Sequence, residues 1–264
     1  MPTYRLAIEY EGTRFRGWQE QKNARSVAGE LRRAIEEVVG ERVELGGAGR
    51  TDAGVHALEQ VAHLRVGRRL PPGARFAAEV NDRLPAEIHL RAVAPAPERF
   101  HARHHAQLRS YLYQVSRRRT ALAKRFVWWV RRELDAGSMA AAAAAIAGRH
   151  DFATFCEQPE EQSSTLVVVE RAEVVEAGEL ILVRIAASHF LWKMVRRLVG
   201  ALVEVGAGEL AAAQLAALID APAGAHRGFR PAEHTAPPSG LFLERVIYEG
   251  DAPLGAVVPA VPVA

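Results

Sequence analysis

Cysteine is almost absent from this chain: Cys156 stands alone among 264 residues. A single cysteine excludes an internal disulfide and any multi-cysteine zinc site. It fits a reducing compartment, so a cytoplasmic location is expected. Long hydrophobic runs are missing as well. No stretch of about eighteen apolar residues occurs, so no membrane-spanning helix is expected. Met1–Arg5 lead straight into alternating residues, without the apolar core of a signal peptide. No repeat of about 20–50 residues is present, which excludes a solenoid. Lysine is scarce: Lys22, Lys124 and Lys193 are three of 34 cations. Acids are missing locally, since the stretch from Arg99 to Arg132 holds ten Lys and Arg but no Asp or Glu.

That local gap belongs to a wider asymmetry. Residues 1–132 carry 25 cations against 14 acids, and residues 133–264 carry 9 against 17. A basic half points to a polyanion partner, because phosphate neutralisation releases counterions. The competing explanation, a solvated basic face in an arginine-rich composition, accounts for the choice of arginine over lysine. It accounts less well for the missing acids.

Residues 3–10 alternate, with Tyr4, Leu6, Ile8 and Tyr10 on one side, and predict a strand. Ser26 caps a helix bearing Val27, Leu31, Ala34, Ile35 and Val38, which stops at Gly40. Strands are expected near 42–48, 58–66 and 87–93, with a helix near 74–83. Pro95-Ala96-Pro97 reads as a linker, which sets an N-terminal half over 1–97 and a C-terminal half over 98–250. In the second half a strand is expected over 108–116 and an alanine-rich helix over 135–147. A hairpin follows, 165–175 with 180–187. An amphipathic helix over 190–205 carries Phe190, Met194, Leu198 and Leu202. A short helix covers 209–219, a loop 221–239 and a last strand 240–248. Residues 251–264 read as a flexible tail. The sum is an α+β fold with a mostly antiparallel sheet and helices on one face.

The chemistry concentrates in Gly46-Gly47-Ala48-Gly49-Arg50-Thr51-Asp52-Ala53-Gly54-Val55-His56. Four glycines in nine residues permit a tight, irregular backbone between two strands. No Lys-Ser/Thr follows, so it is not a P-loop, and no long helix follows, so it is not a dinucleotide fingerprint. It presents a carboxylate, Asp52, two residues from the guanidinium of Arg50. Paired and ionised, Asp52 could act as a nucleophile; as a plain turn residue it would need no such role. His56 is expected to be a polar loop residue rather than a metal ligand, and no metal or cofactor is expected. Trp18, near Arg14 and Arg16, suits either stacking on a base or burial. Tyr111 and Tyr113 are core unless the basic residues around them mark a functional strand. His101, His104 and His105 lack acidic companions and fit a basic surface better than a metal site.

Several of these residues recur in order as a recognisable set. The set comprises Glu9-Tyr10-Glu11-Gly12, Gly17-Trp18-Gln19-Glu20-Gln21, Ala48–His56, Asn81 with Leu84-Pro85, Phe100–Arg103 and Arg109–Tyr113. It continues with His150-Asp151-Phe152, Phe190-Leu191, Met194–Arg196, Leu202–Gly206 and Gly240-Leu241. The chain resembles the tRNA pseudouridine synthase A family over nearly its whole length. The resemblance implies two related α/β halves forming a continuous, mostly antiparallel sheet, with an active-site cleft between the halves. It implies Asp52 as the catalytic aspartate and Arg50 as its partner. Tyr111 becomes the tyrosine near the target base, Arg196 a basic residue supporting the aspartate, and Leu241 an apolar pocket residue. The implied substrate is the anticodon stem-loop of tRNA at positions 38, 39 and 40, and the implied assembly is a homodimer. Ala28, Ser188-His189 and Lys193 depart from the family's usual residues, which bears on fine substrate choice rather than on Asp52.

Overall fold

The computed structural model describes residues 1–224 and 228–263. The chain divides into two compact units, Met1–Gln107 with Phe242–Ala252, and Leu108–Leu241 with the residues from Pro253 onward. The first crossing thus falls ten residues beyond the expected one at 97/98. The chain then returns to the first unit near its C-terminal end and leaves it again.

The first unit carries β1 (Thr3–Tyr10), α1 (Val27–Val39), β2 (Glu44–Gly47), β3 (His56–Arg65), α2 (Gly73–Asn81) and β4 (Ile88–Ala96). Most of one late strand, β10 (Leu241–Ile247), belongs to it too. Strand β1 lies between β3 and β4 and pairs antiparallel with both. Its alternate residues Tyr4, Leu6, Ile8 and Tyr10 are buried, as the alternation predicts. β2 joins β3 antiparallel, and β10 joins it in parallel through Phe242 and Leu243 opposite His56 and Ala57. Ser26 caps α1 by accepting from the Gly29 N–H at 3.2 Å. The expected linker is strand instead: Pro95 and Ala96 pair with Tyr4 and Thr3. β4 pairs only with β1 among the described strands, and an edge strand tolerates a proline that cannot donate to a ladder.

The second unit carries β5 (Leu108–Ser116), β6 (Trp128–Trp129), α3 (Ala136–Ala143), β7 (Gly148–Asp151), β8 (Leu166–Ala177), β9 (Leu180–Ala187), α4 (Met194–Gly206) and α5 (Ala212–Leu218). Strands β5, β9, β8 and β7 follow one another in antiparallel pairing, and β6 lies parallel to the end of β5. The 165–187 hairpin forms as expected, with a two-residue turn at Gly178-Glu179. Helix α4 starts at Met194, four residues later than expected, because Lys193 adopts a left-handed conformation (φ 61°). Phe190 therefore lies outside the helix. Of the loop expected over 221–239, residues 225–227 lie outside the described residues, as does residue 264 of the expected tail.

The rest of that tail is docked. Every residue of β9 is buried, which a sheet with one solvated face does not allow. Residues 253–263 supply the cover. Val257, Ala260 and Val263 pack on Leu112, Ala123, Val127, Leu180 and Leu182. Gln114 donates to Val261 O and accepts from the N–H groups of Ala260 and Val261. Arg184 donates to the carbonyls of Gly255 and Ala256 at 2.8 and 3.0 Å. Two polar side chains on a buried strand face are thereby satisfied by tail backbone. No helix among the described residues is long and apolar enough to cross a membrane.

Candidate functional site

In the first unit the loop between β2 and β3 is held by its neighbours on three sides. The Trp18 N–H donates to Thr51 O at 3.1 Å, the Gly54 N–H to Phe15 O at 3.4 Å, and Gln60 Nε2 to Gly49 O at 3.1 Å. The segment 17–18 is itself tied to the start of α1, since the N–H groups of Val27 and Ala28 donate to Gly17 O and Trp18 O. Side chains could not replace two of the glycines. A Cβ on Gly17, where φ is +92°, would stand 2.4 Å from Thr51 O. One on Gly12 would stand 1.9 Å from Val55 O. The backbones of 12–18 and 51–55 touch directly, and only glycine allows it.

Thr51 is buried beside Asp52 and is gripped through both of its oxygens. Its carbonyl accepts from Trp18, and its Oγ1 lies 2.7 Å from the hydroxyl of Tyr10, a contact in which either oxygen can donate. Burial pushes the Tyr10 hydroxyl well above the ordinary tyrosine pKa and outweighs its hydrogen bond to Thr51, so it stays protonated. Asp52 is half-buried and closes a turn by accepting the Val55 N–H at 3.2 Å on its carbonyl. The side chain one residue before is anchored, so the carboxylate is presented from a fixed backbone.

Arg50 is exposed on the same loop, two residues before the half-buried Asp52. His56 is the buried first residue of β3 rather than a polar loop residue. Its Nδ1 accepts from the Gly12 N–H at 3.0 Å, and its ring stacks on Phe242 at 4.8 Å. Trp18 is buried 6.1 Å from Tyr10, so of its two readings the structural one holds.

The histidine cluster is also structural. Nδ1 of His101 accepts from the N–H groups of Arg103 and His104, and Nδ1 of His105 accepts from that of His101. His63 joins them, with its ring 4.4 Å from that of His101. Burial first, and neighbouring cations second, lower the pKa of both His63 and His101. His101 and His105 thus cap backbone N–H groups, and His63 and His101 are a poor source of positive charge at neutral pH.

The second unit gathers the other expected residues around one segment. Tyr111 is buried on β5 and meets Phe190 edge-to-face at 5.0 Å. Arg196, on the first turn of α4, donates from Nε to Ala236 O at 2.7 Å, and the Ala236 N–H returns a bond to Arg196 O. The hydroxyl of Tyr113 donates to Pro237 O at 2.7 Å. Burial raises the Tyr113 pKa, opposed by the charge of Arg196. Leu241 is buried directly after the 3-10 turn Pro238–Gly240, which packs on the Tyr113 ring. The segment 236–241 is thus the common support for Arg196, Tyr113 and Leu241. Sequence reasoning missed Ala236 and Pro237. The proline pair at 237–238 was the available signal, since it stiffens a segment that offers its carbonyls.

The tRNA pseudouridine synthase family pattern matches residues 6–105 and 142–249. A tRNA pseudouridine synthase A from Mesorhizobium japonicum is 44% identical over 94% of this chain and 100% of its own length. Proteins of the same name from Rhodopseudomonas palustris and Nitrobacter winogradskyi are 42% and 40% identical, over 94% and 96% of this chain and 100% and 98% of their own. With a family pattern matching most of both units and relatives covered end to end, the chain belongs to the tRNA pseudouridine synthase family.

Proposed function

We propose that this enzyme converts uridine to pseudouridine at positions 38, 39 and 40 of the tRNA anticodon stem-loop, with Asp52 as its catalytic carboxylate. Membership of the family makes it an isomerase acting on tRNA; the positions and the residue roles are the proposal. The observation that carries it is the Asp52 loop. A half-buried carboxylate follows a threonine locked by hydrogen bonds from two directions, which is how a reacting group is held in register.

The reaction breaks the N1–C1′ bond, turns the uracil and forms C5–C1′; the proton on C5 leaves and N1 gains one. Atoms and electrons balance within the nucleotide, so the chemistry requires no co-reactant. The target must leave its stack before C1′ or C6 can be reached. Asp52 then attacks the nucleotide or stabilises positive charge at C1′, as carboxylates do opposite oxocarbenium-like centres in glycosidases. Tyr111 and Leu241 are proposed to meet the base and to keep it from solvent while it is detached. Arg196 is proposed to bring positive charge to the reacting region, and Arg50, exposed on the same loop, to pair with Asp52. A cytoplasmic homodimer is the proposed working form.

Asp52→Asn tests the assignment. tRNA binding should stay near wild type while tritium release from tRNA labelled at uridine C5 disappears. Wild-type release from this variant would remove Asp52 from the mechanism. Mapping pseudouridine in tRNA from cells lacking the protein tests the positions, and sedimentation tests the dimer.

A further inference from the structure

The acid-free stretch separates, in the structure, into cations that have acidic partners and cations that do not. Arg132 makes a two-pronged bond to Glu204, at 2.6 and 2.8 Å, and Arg117 reaches Glu176 at 2.6 Å. Arg119 and Arg131 have no ion pair among the described residues. Both instead place their guanidinium carbons over the same indole, that of Trp129, at 5.9 and 5.4 Å from its centroid.

The cause is the backbone. β6 runs parallel to β5, with Val115 opposite Trp128 and Ser116 opposite Trp129, and the Val130 N–H donates to Ser116 O. The two strands leave this pairing side by side, so Arg117–Arg119 emerge beside Arg131-Arg132. Like charges are driven together at the surface, which is unfavourable until an anion joins them. A cavity of about 330 Å³ opens there, lined by Arg117, Arg131, Arg132, Glu133 and Leu134. The indole is half-buried and fixed by its strand. This segment lies between the two stretches that match the family pattern.

We infer that Arg119, Trp129 and Arg131 form a grip for the phosphodiester backbone of the tRNA substrate, with the indole holding both guanidiniums in place. The two cations neutralise adjacent phosphates, and Arg117 can exchange its exposed Glu176 for a third, since surface ion pairs hold weakly. The inference rests on tRNA being the substrate. It is separable from the role of Asp52, whose replacement removes product and leaves the salt dependence of binding alone.

The test uses the full chain and an unmodified tRNA transcript, with Kd measured across a series of salt concentrations. Arg119→Gln with Arg131→Gln should weaken binding roughly tenfold and make the log Kd against log salt slope about 1–2 units shallower. The loss should appear in KM rather than kcat. The Lys pair at the same positions keeps both charges and should restore the slope, which separates this effect from misfolding. Trp129→Leu should weaken binding with the slope preserved. An unchanged slope in the Gln pair overturns the inference. So does an unchanged slope accompanied by a shift to a smaller species in sedimentation, which would make this surface a contact between copies of the chain.

Discussion

Replacing Tyr10 with phenylalanine removes one oxygen atom from the wall behind the Asp52 loop. That oxygen lies 2.7 Å from Thr51 Oγ1, and both residues are buried, with relative exposures of 3% and 6%. A net hydrogen bond contributes about 0.5–1.5 kcal/mol, but a buried partner left unsatisfied costs about 1–3 kcal/mol. Tyr10→Phe should therefore destabilise the fold by about 1–3 kcal/mol, and Thr51→Val, which removes the Thr51 partner of the Tyr10 hydroxyl and leaves it Gln60, by about the same or less. The double variant removes both polar groups and should be less destabilised than the sum of the singles by about 1 kcal/mol. The catalytic consequence is larger than the stability one. Thr51 is the residue before Asp52, and a misplacement of about 1 Å can reduce a rate about 100-fold. Tritium release under saturating tRNA should fall about 10- to 100-fold in Thr51→Val and Tyr10→Phe, with tRNA Kd within about twofold of wild type. Thr51→Ser, which keeps the hydroxyl, should restore most of the rate. Wild-type kcat in folded Tyr10→Phe would show that this hydrogen bond does not position Asp52.

Two further outcomes follow from the packing and the titration of other groups. Truncation after Ala252 strips Val257, Ala260 and Val263 from the β5–β9 face, a loss of about 2–4 kcal/mol of apolar burial. A Tm lowered by roughly 5–15 °C is expected by calorimetry, and a Tm unchanged within error would mean the tail does not cover that face in solution. His63 and His101 have folded pKa values below the ordinary histidine value. The unfolded chain binds these protons first, so their contribution is constant above about pH 6.5 and stability falls as the pH drops below it. Urea midpoints from pH 7.5 to 5 should decline, and less steeply in His63→Gln; a slope identical in the variant would exclude His63 as a cause.

Much of the secondary structure was legible because burial on one face leaves a period in the sequence. β1, α1, β5 and the β8–β9 hairpin all carry it, and each lies within a few residues of its expected place. The misreadings share a different cause: each depended on what a distant segment does. Pro95 reads as a linker until β1 is known to lie on only one side of its strand. Residues 251–264 read as a flexible tail until their carbonyls are seen to take the side chains of Gln114 and Arg184. Phe190 follows the helical spacing of α4, yet one left-handed residue, Lys193, detaches it and gives it to Tyr111. At the site the loop stood out through glycine density, while its aspartate was singled out by the family resemblance. The grip on Thr51 did not stand out, because Tyr10, Trp18 and Thr51 are far apart in the chain.

The route of the chain through its two units has a consequence for how the protein is made. The first unit waits for β10 to cover one side of β3 at His56 and Ala57, where the Asp52 loop ends. The second waits for residues 253–263. Neither is a contiguous stretch of polypeptide, so neither can finish folding while the ribosome is still extending the middle of the chain. The pairing of β10 with β3 at His56 and Ala57 is therefore completed only once residues 242 and 243 have been made, whereas the contacts of the Asp52 loop with Phe15, Trp18 and Gln60 lie within the first 107 residues.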